Sequence, residues 1–260
     1  THMRYNHVFP SLKMLPLEPK DDLVSVLERD GVVLLNVGES FSNKSFLELM
    51  CKIGTPLKES NVDAAYVEDL FILNVRTDID SNISMENEPF SIDGLRMHVE
   101  RAFANQTVQP NFIALLCKVC PVDENGGQTL IYRMSDFVKC FSANELMLMR
   151  KMYPVSMDRK IISVNPILSY DRRRGFEFFS YRDLGQYGKD WHVKDDPTLN
   201  ALDVSLVANK IGEVLGRHAN IRALVWRPGY LYIFDNKKSF HGRTEQKQSQ
   251  KRHLKRIRVI

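Results

Sequence analysis

Two stretches of the sequence decide its fold and its chemistry: GLRMHVERAF, residues 94–103, and WRPGYLYIFDNKKSFHGRTEQ, residues 226–246. In the first stretch, His98 and Glu100 are separated only by Val99. Side chains of a β-strand alternate between the two faces of its sheet, so His98 and Glu100 would project to one face while Val99 packs on the other. The spacing therefore predicts an imidazole and a carboxylate that can reach the same metal ion.

His241, which follows an apolar run in the second stretch, is the candidate for a third ligand from a distant strand. Two histidines and one carboxylate occupy one face of an octahedron and leave three positions free. Non-haem Fe(II) oxygenases use this arrangement because they bind both O₂ and an organic co-substrate. The H-x-E spacing alone occurs often by chance, and a histidine in a strand is more often a hydrogen-bonded core residue. The surrounding motifs decide between these two interpretations.

Those motifs follow one another in a characteristic order. A Gly-Gly turn leads into a strand that begins at Thr129, and a Pro-Gly turn precedes the apolar strand that ends in Asp-Asn at 235–236. Arg252 follows His241 by eleven residues. With these motifs, the sequence resembles the Fe(II)/2-oxoglutarate-dependent oxygenases of the taurine dioxygenase and clavaminate synthase superfamily. The resemblance runs from about residue 95 to the C-terminus, and glutamate as the second ligand is similar to the clavaminate synthase branch.

The resemblance implies a role for each matching residue. His98, Glu100 and His241 match the iron ligands. Arg252 matches the arginine that pairs with the distal carboxylate of 2-oxoglutarate, a contact that a planar guanidinium makes well. Thr129 matches the hydroxyl that donates to the same carboxylate.

Arg256 is a second candidate for this anchor. Arg252, Leu254 and Arg256 would share one face of a strand, so Arg256 can equally contact the substrate. The alternative is that Arg256 and Arg258 form the basic edge of a strand, and the sequence leaves these interpretations open.

The resemblance also implies a reaction. Enzymes of this superfamily use Fe(II), O₂ and 2-oxoglutarate to hydroxylate an unactivated C–H bond, and release succinate and CO₂. The clavaminate synthase branch acts mostly on free or modified L-amino acids in specialised metabolism. The same cofactors also support desaturation or cyclisation, and the basic character of the chain also suits an acidic carrier protein that presents a tethered substrate. The non-enzyme alternative is a jelly-roll binding module with a degenerate metal site.

Substrate contacts are harder to predict. The loop SNISMENEPFSIDG and the segment 165–200 are expected to line or cover the mouth of the site, because reactive oxygen has to be kept from water. The candidate contacts, each also explicable as a surface residue, are Asn74, Arg172, Arg173, Arg174 and Asp203.

The order of predicted elements favours a mainly β fold with flanking helices (α+β), with a double-stranded β-helix, or jelly roll, at its core. Helices are expected in 20–31, 42–54, 134–153 and 199–218. Strands are expected in 32–37, 69–76, 95–103, 111–120, 128–134, 221–229, 230–236 and 253–260. The section 169–196 is predicted to be irregular.

Size and composition fit this interpretation. The 260 residues favour a single domain over 3–260, with Thr1 and His2 as a cloning remnant. A net charge of +4 from dispersed lysines and arginines does not favour nucleic acid, and no apolar run reaches the ~20 residues of a membrane span. Without a visible signal peptide, and with Cys117 and Cys120 expected to be structural thiols, we expect a cytoplasmic protein.

Overall fold

The computed structural model describes residues 9–12, 22–60, 62–76, 94–120, 126–155, 163–183, 190–193, 198–246 and 251–260. Within these ranges the chain is mainly β with five α-helices, as the sequence predicted. The helices are α1 Leu23–Asp30, α2 Asn43–Cys51, α3 Met134–Phe137, α4 Ala143–Met149 and α5 Ala201–Leu215. The strands are β1 Val32–Asn36, β2 Val67–Glu68, β3 Ile72–Arg76, β4 Leu95–His98, β5 Phe112–Val119, β6 Thr129–Arg133, β7 Met152–Val155, β8 Leu168–Asp171, β9 Phe176–Phe179, β10 Asp190–Val193, β11 Arg222–Ala223, β12 Tyr230–Asp235, β13 Ser239–Arg243 and β14 His253–Val259.

Two antiparallel sheets hold most of the strands. The larger sheet has the order β1-β12-β5-β14-β3-β2, and the smaller sheet has the order β11-β6-β13-β4. Two further antiparallel pairs, β8 with β9 and β7 with β10, lie outside these sheets. Except for β2 and β3, neighbouring strands in both sheets are far apart in sequence, so the fold depends on long-range pairing.

Alternation along β5 shows how the larger sheet is packed on both faces. Ala114 and Leu116 belong to the hydrophobic cluster that the helices α1 and α2 cover. Ile113 and Leu115 belong to a second cluster, which also takes Ile131 from the smaller sheet. The near-continuous apolar run of β5 follows from burial on both faces.

The opposite side of the smaller sheet carries a third hydrophobic cluster. It joins Tyr132 and Phe240 of that sheet to Ile211 of α5 and to Phe178 of the β8–β9 hairpin. The section 169–196, predicted to be irregular, thus contains a hairpin that packs in the core. Its aromatic residues contribute side chains to this cluster instead of forming only a loop.

Other boundaries also differ from those predicted. The helix predicted over 134–153 is divided into α3, a 3₁₀ turn and α4, and it ends in the strand β7. Of the strand predicted over 221–229, only Arg222–Ala223 pairs with a neighbour. The helices α1, α2 and α5 are confirmed.

Among the helices that the structure describes, none is long and apolar enough to cross a membrane.

Candidate metal centre and pocket

His98 and His241 are direct cross-strand neighbours. His98 ends β4 and His241 lies in β13, where the two residues pair in the antiparallel register. Their ring centroids are 4.2 Å apart, as expected for opposed residues on one face. Gly242 makes this close pairing possible, because a Cβ atom there would lie 2.7 Å from the carbonyl oxygen of Leu95. This steric requirement explains why a glycine lies between His241 and Arg243.

Glu100 reaches the two histidines from a turn, since β4 ends at His98. The turn is held by Asn236, whose Oδ1 accepts from the backbone N–H of Glu100 at 2.9 Å. Nδ2 of Asn236 donates to the carbonyl oxygens of Glu100 at 3.1 Å and of Pro110 at 2.9 Å. The prediction that strand alternation places His98 and Glu100 on one face is wrong, because the strand ends at His98. Glu100 is instead held beside the histidines by Asn236, which lies 136 positions away from it.

The three side chains offer ligand atoms that all lie within 4.8 Å of one another. Nδ1 of His98 lies 2.8 Å from the carbonyl oxygen of Arg96, a contact that places the proton on Nδ1 and leaves the Nε2 lone pair open. This Nε2 is 4.0 Å from Oε2 of Glu100. Nδ1 of His241 is buried and has no hydrogen-bond partner within the described part of the chain.

The protonation states of these groups fit a divalent cation. Burial lowers the pKa of His98 and of His241, so both imidazoles are neutral and can act as ligands. Burial opposes ionisation of Glu100, but the charges of Arg256 and Arg258 outweigh it and lower the pKa of this carboxyl group. Two neutral imidazoles and one carboxylate form the donor set expected for ferrous iron with open positions.

Arg256 and Arg258 of β14 surround the carboxylate of Glu100. Their guanidinium groups donate to Oε1 of Glu100 at 3.3 Å and 3.1 Å. Both arginines also contact Glu59, with the shortest distance 2.8 Å, from Arg258 to Oε2. Because the arginines occupy Oε1, the second oxygen of Glu100 remains directed at His98 and available to a metal.

Arg252 and Thr129 approach the same cavity from opposite sheets. Arg252 is 4% exposed and donates to the carbonyl oxygen of Gly127 at 3.2 Å, while its Nε is buried without a partner in the described residues. The Thr129 hydroxyl accepts from Nε1 of Trp226 at 3.1 Å, which leaves its proton for another acceptor. Burial lowers the pKa of Arg252, and the nearby charge of Arg243 lowers it further. An anion bound beside Arg252 would favour its charged form and so oppose both of these effects on its pKa.

One cavity between the two sheets connects these groups. Its lining includes the three candidate ligands, Thr129, and the arginines of β14, together with apolar residues such as Leu73, Ile113 and Phe234. Each sheet contributes one side of the cavity, which lies on their facing surfaces.

The predicted substrate contacts lie elsewhere in the described structure. Asn74 is on the face of β3 opposite the cavity-lining Leu73 and Val75, and its Oδ1 is 2.7 Å from Nε2 of His253. Asp203 is exposed in the first turn of α5.

The three consecutive arginines occupy the turn of the β8–β9 hairpin. Arg172 and Arg173 line a different cavity, near Tyr170. Arg174 forms a bidentate ion pair with Asp235, at 2.6 Å and 3.0 Å, and stacks on Phe112 and Phe176. Its role in the fold is to attach the hairpin to the end of β12.

The expected lids are only partly within the described residues. Residues 77–93 lie outside them, and so do 184–189 and 194–197 of the segment 165–200. Of the described parts of that segment, 165–183 packs into the third hydrophobic cluster through Ile167, Phe178 and Tyr181.

Sequence reasoning missed Glu59, Arg182 and Arg243, which line the cavity, and Asn236, which holds the turn of Glu100. Arg243 could have been found, since it is two residues beyond His241 on the same strand and so shares its face. Glu59 and Arg182 have no local pattern that connects them with the metal ligands.

Comparison with solved structures supports the fold that the sequence predicted. PvcB from Pseudomonas aeruginosa, described as an Fe, alpha-ketoglutarate dependent oxygenase from an isonitrile synthetic pathway, superposes with a TM-score of 0.65 at 17% identity, over 90% of this chain and 77% of PvcB. Asparagine oxygenase in complex with Fe(II), 2S,3S-3-hydroxyasparagine and succinate has a TM-score of 0.63 at 17% identity, over 91% of this chain and 77% of its own. The non-heme iron oxygenase OrfP, in complex with (3S)-hydroxy-L-Arg, has a TM-score of 0.59 at 15% identity, over 90% and 76%.

No family model matches the chain, and no curated protein matches it. At identities of 15–18%, these neighbours establish the fold alone.

Proposed function

We propose that this protein is an Fe(II)/2-oxoglutarate-dependent oxygenase that hydroxylates a C–H bond of an amino acid or an amino-acid-derived small molecule. The observation that carries the proposal is the convergence of His98, Glu100 and His241 within 4.8 Å, in the same cavity as Arg252. The neighbours in fold that are described as iron oxygenases support it, because the fold by itself hosts many functions and the residues in the cavity select one.

Five residues of the cavity have defined roles in this proposal. His98, Glu100 and His241 would hold ferrous iron. With 2-oxoglutarate bound, the iron would supply the chemistry by which O₂ oxidises the substrate. Arg252 and Thr129 bind the distal carboxylate of 2-oxoglutarate through charge-assisted and hydroxyl hydrogen bonds. Both donors are buried, so the co-substrate is oriented by groups that do not have to reorganise.

The arrangement of Arg256, Arg258 and Glu59 supports an amino acid as the substrate. Cationic and anionic groups lie side by side here, with Glu59 between the two arginines at 2.8–3.4 Å. A zwitterion carries a carboxylate and an ammonium group close together, which match an arginine and a glutamate. The neighbours crystallised with hydroxylated asparagine and hydroxylated arginine bind molecules of this class.

The two facing sheets are proposed to form the double-stranded β-helix, or jelly roll, within one domain over 3–260. We propose a free small molecule as substrate and a cytoplasmic location, with desaturation, cyclisation or a carrier-tethered substrate as alternatives. Neither nucleic acid nor a membrane is a predicted partner.

An anaerobic titration tests the metal and co-substrate sites together. We expect Fe(II) plus 2-oxoglutarate to produce the visible charge-transfer absorption of a chelated keto acid. Replacing Arg252 by Gln should raise the dissociation constant of 2-oxoglutarate about 10- to 100-fold, because a charge-assisted hydrogen bond is worth about 1.5–3 kcal/mol. Succinate release under air, in the presence of an amino-acid panel, then reports turnover.

Lys255→Gln is the matched control. Lys255 lies in β14, three residues beyond Arg252, and its side chain contacts Glu68 and Asn43 on the face opposite the cavity. The proposal requires that this variant bind 2-oxoglutarate normally. If the wild-type protein binds neither iron nor 2-oxoglutarate, the oxygenase assignment fails and the binding-module alternative gains support.

A further inference from the structure

Four charged side chains form a closed ring in the wall of the cavity. They are Glu59, Glu100, Arg256 and Arg258, and each arginine forms an ion pair with both glutamates. The four side chains are only 1–15% exposed, so water contributes little to stabilising their charges. Buried charges are tolerated when they are paired, and the two positive and two negative charges of this ring balance each other.

The two guanidinium groups are divided between the two carboxylates. Nη1 of Arg256 and Nη1 of Arg258 donate to Oε1 of Glu100, at 3.3 Å and 3.1 Å. Nη2 of each arginine instead donates to Glu59, at 3.4 Å and 2.8 Å. An arginine that pairs with a single carboxylate often takes both of its oxygens through two parallel hydrogen bonds. Because both arginines are divided, they take only Oε1 of Glu100, and Oε2 stays 4.0 Å from Nε2 of His98.

The path of the main chain explains why Glu59 lies beside these arginines. The segment 55–57 pairs antiparallel with the end of β14, where the N–H of Leu57 donates to the carbonyl oxygen of Arg258 at 2.8 Å. Since β5 occupies the other edge of β14 along its whole length, this segment continues the edge that β3 occupies. Two residues further on, the N–H of Glu59 donates to the carbonyl oxygen of Leu70 at 2.8 Å, just before β3. Glu59 therefore lies where the neighbour of β14 changes from this segment to β3.

Loss of the Glu59 charge would leave Glu100 as the acidic group of the described lining for both arginines. The Nη2 atoms that now contact Glu59 could then turn to the second oxygen of Glu100 and form bidentate pairs with it. A metal would have to displace these hydrogen bonds before it could bind Oε2. In addition, a divalent cation would lie close to two guanidinium groups whose charges were only half balanced.

We propose that Glu59 is a positioning residue for the metal centre, which holds one nitrogen of each arginine and so keeps Oε2 of Glu100 available as a single-oxygen ligand. This assignment rests on the proposed oxygenase function and specifies how the same site is kept open. A carboxylate that binds through one oxygen takes one coordination position, and with the two histidines it leaves three positions for the co-substrates. Glu59 contacts the arginines and acts on Glu100 through them.

Glu59→Gln tests the proposal by removing the charge while retaining the size of the side chain. The whole chain is titrated anaerobically with Fe(II), without 2-oxoglutarate, in competition with a chromogenic chelator that reports the free metal. We expect the dissociation constant for Fe(II) to rise about 10- to 100-fold, as is typical when a group that supports a metal ligand is lost. Glu59→Asp, which retains the charge, should show a smaller rise.

A second substitution distinguishes positioning from a general contribution to folding. When Glu59→Gln is combined with Arg258→Gln, one negative and one positive charge are lost, so the remaining pair of Arg256 and Glu100 is balanced again. We expect the double variant to bind Fe(II) about 10-fold more tightly than Glu59→Gln alone, since one of the two arginines that compete for Glu100 is absent. A purely structural role of Glu59 predicts a further loss instead, because a second buried interaction is removed.

Glu68→Gln is the matched control. Glu68 also pairs with a cation of β14, because its Oε2 accepts from Nζ of Lys255 at 2.6 Å, but this pair lies on the face opposite the cavity. The control removes one carboxylate charge that is paired with the same strand, and it should leave the dissociation constant for Fe(II) unchanged. Urea denaturation of every variant gives its stability, so that loss of folded protein is separated from loss of metal affinity.

Unchanged Fe(II) affinity in Glu59→Gln would contradict the proposal. A double variant that binds Fe(II) no more tightly than Glu59→Gln, or an equal loss of affinity in Glu68→Gln, would make Glu59 a structural residue. Any of these results, together with normal Fe(II) binding by the wild-type protein, would refute the positioning role while leaving the proposed oxygenase function intact. A wild-type protein that does not bind Fe(II) would refute both.

Discussion

Asn236 shows how a single buried side chain determines the position of a candidate metal ligand. Its side chain is fully buried, and it satisfies both the N–H and the carbonyl oxygen of Glu100. A third bond, to the carbonyl oxygen of Pro110, joins this turn to the start of β5. The bonds to Glu100 are part-buried and the bond to Pro110 is buried, so the loss of Asn236 would remove their partner and leave the Glu100 turn unconstrained.

Replacing Asn236 by Ala is expected to reduce the free energy of unfolding by about 2–4 kcal/mol, because buried polar groups lose their partners. It should also weaken Fe(II) binding at least about 10-fold, as is typical for residues that orient metal ligands. Chemical denaturation and anaerobic metal titration measure the two effects.

Asn165→Ala is the matched control for Asn236→Ala. Asn165 is also buried, and its Nδ2 donates to the carbonyl oxygens of Ala102 and Ala104. We expect Asn165→Ala to lower the free energy of unfolding by a similar amount without changing the affinity for Fe(II). Equal loss of iron affinity in both variants would contradict a specific role for Asn236.

At the scale of the element, β14 combines two surfaces of different chemistry in one strand. Leu254, Arg256 and Arg258 of β14 line the cavity, together with Arg252, which immediately precedes the strand. On the other face, Ile257 and Val259 pack under α1 and α2, and Lys255 pairs with Glu68 at 2.6 Å. The period of two in the strand separates the proposed substrate machinery from the residues that attach the helices.

His253, at the start of β14, makes the folded state sensitive to pH. Burial lowers its pKa to about 4, compared with the ordinary value of 6.5, and Arg76 and Lys255 add to this effect. Between these two pH values the unfolded chain binds a proton that the folded chain does not. The stability that the neutral imidazole provides is therefore complete above pH 6.5 and is lost as the pH falls towards 4.

We expect His253→Gln to flatten the pH dependence of stability in this window. The histidine contributes at most about 1.4 kcal/mol per pH unit to the slope of the unfolding free energy. Urea denaturation of both proteins at several pH values between 4 and 7.5 gives the difference in slope. Parallel slopes for the two proteins would show that His253 titrates normally in the folded state.

At the scale of the whole molecule, the proposed ligands for iron and 2-oxoglutarate come from both sheets. The smaller sheet provides His98, His241 and Thr129, while Arg252 immediately precedes β14 of the larger sheet. A metal and a dicarboxylate bound between them would connect the two layers. Ligand binding should therefore stabilise the entire fold and not only the loops of the site.

Anaerobic Fe(II) with 2-oxoglutarate, at about 100 times the dissociation constant, is expected to add about 2.7 kcal/mol to the stability. For a chain of this size, that corresponds to a rise of roughly 5–10 °C in Tm by differential scanning calorimetry. His241→Ala, which removes one ligand, should show no comparable rise. An equal rise in this variant would place the bound metal at another site.

Part of this structure could be predicted because it depends on near neighbours. Capping residues and apolar periodicity predicted α1, α2 and α5, and the apolar runs predicted β1, β5 and β12. The same local patterns were less successful in the section 169–196. There, the mixture of polar and aromatic residues did not predict the β8–β9 hairpin. Its aromatic rings are buried only because α5 and the smaller sheet cover them.

The candidate site shows the same division. Residue types and their order in the sequence predicted His98, Glu100, His241 and Arg252, and the structure brings all four to one cavity. Asn74, Arg172, Arg173, Arg174 and Asp203 were chosen for their polarity alone, and their side chains lie on other surfaces or in other contacts. Polarity indicates that a side chain can bind a ligand but not which face of the fold it occupies.

The sequence by itself determined the ligand types, their order along the chain and the alternation that directs every second residue of β14 to one face. These features depend on residues a few positions apart, which interact in any compact state of the chain. Only the tertiary structure decided that His98 lies opposite His241, that Asn236 holds Glu100, and that Glu59 and Arg182 join the cavity. Those contacts connect residues tens to more than a hundred positions apart, and they exist only when the two sheets have paired and packed.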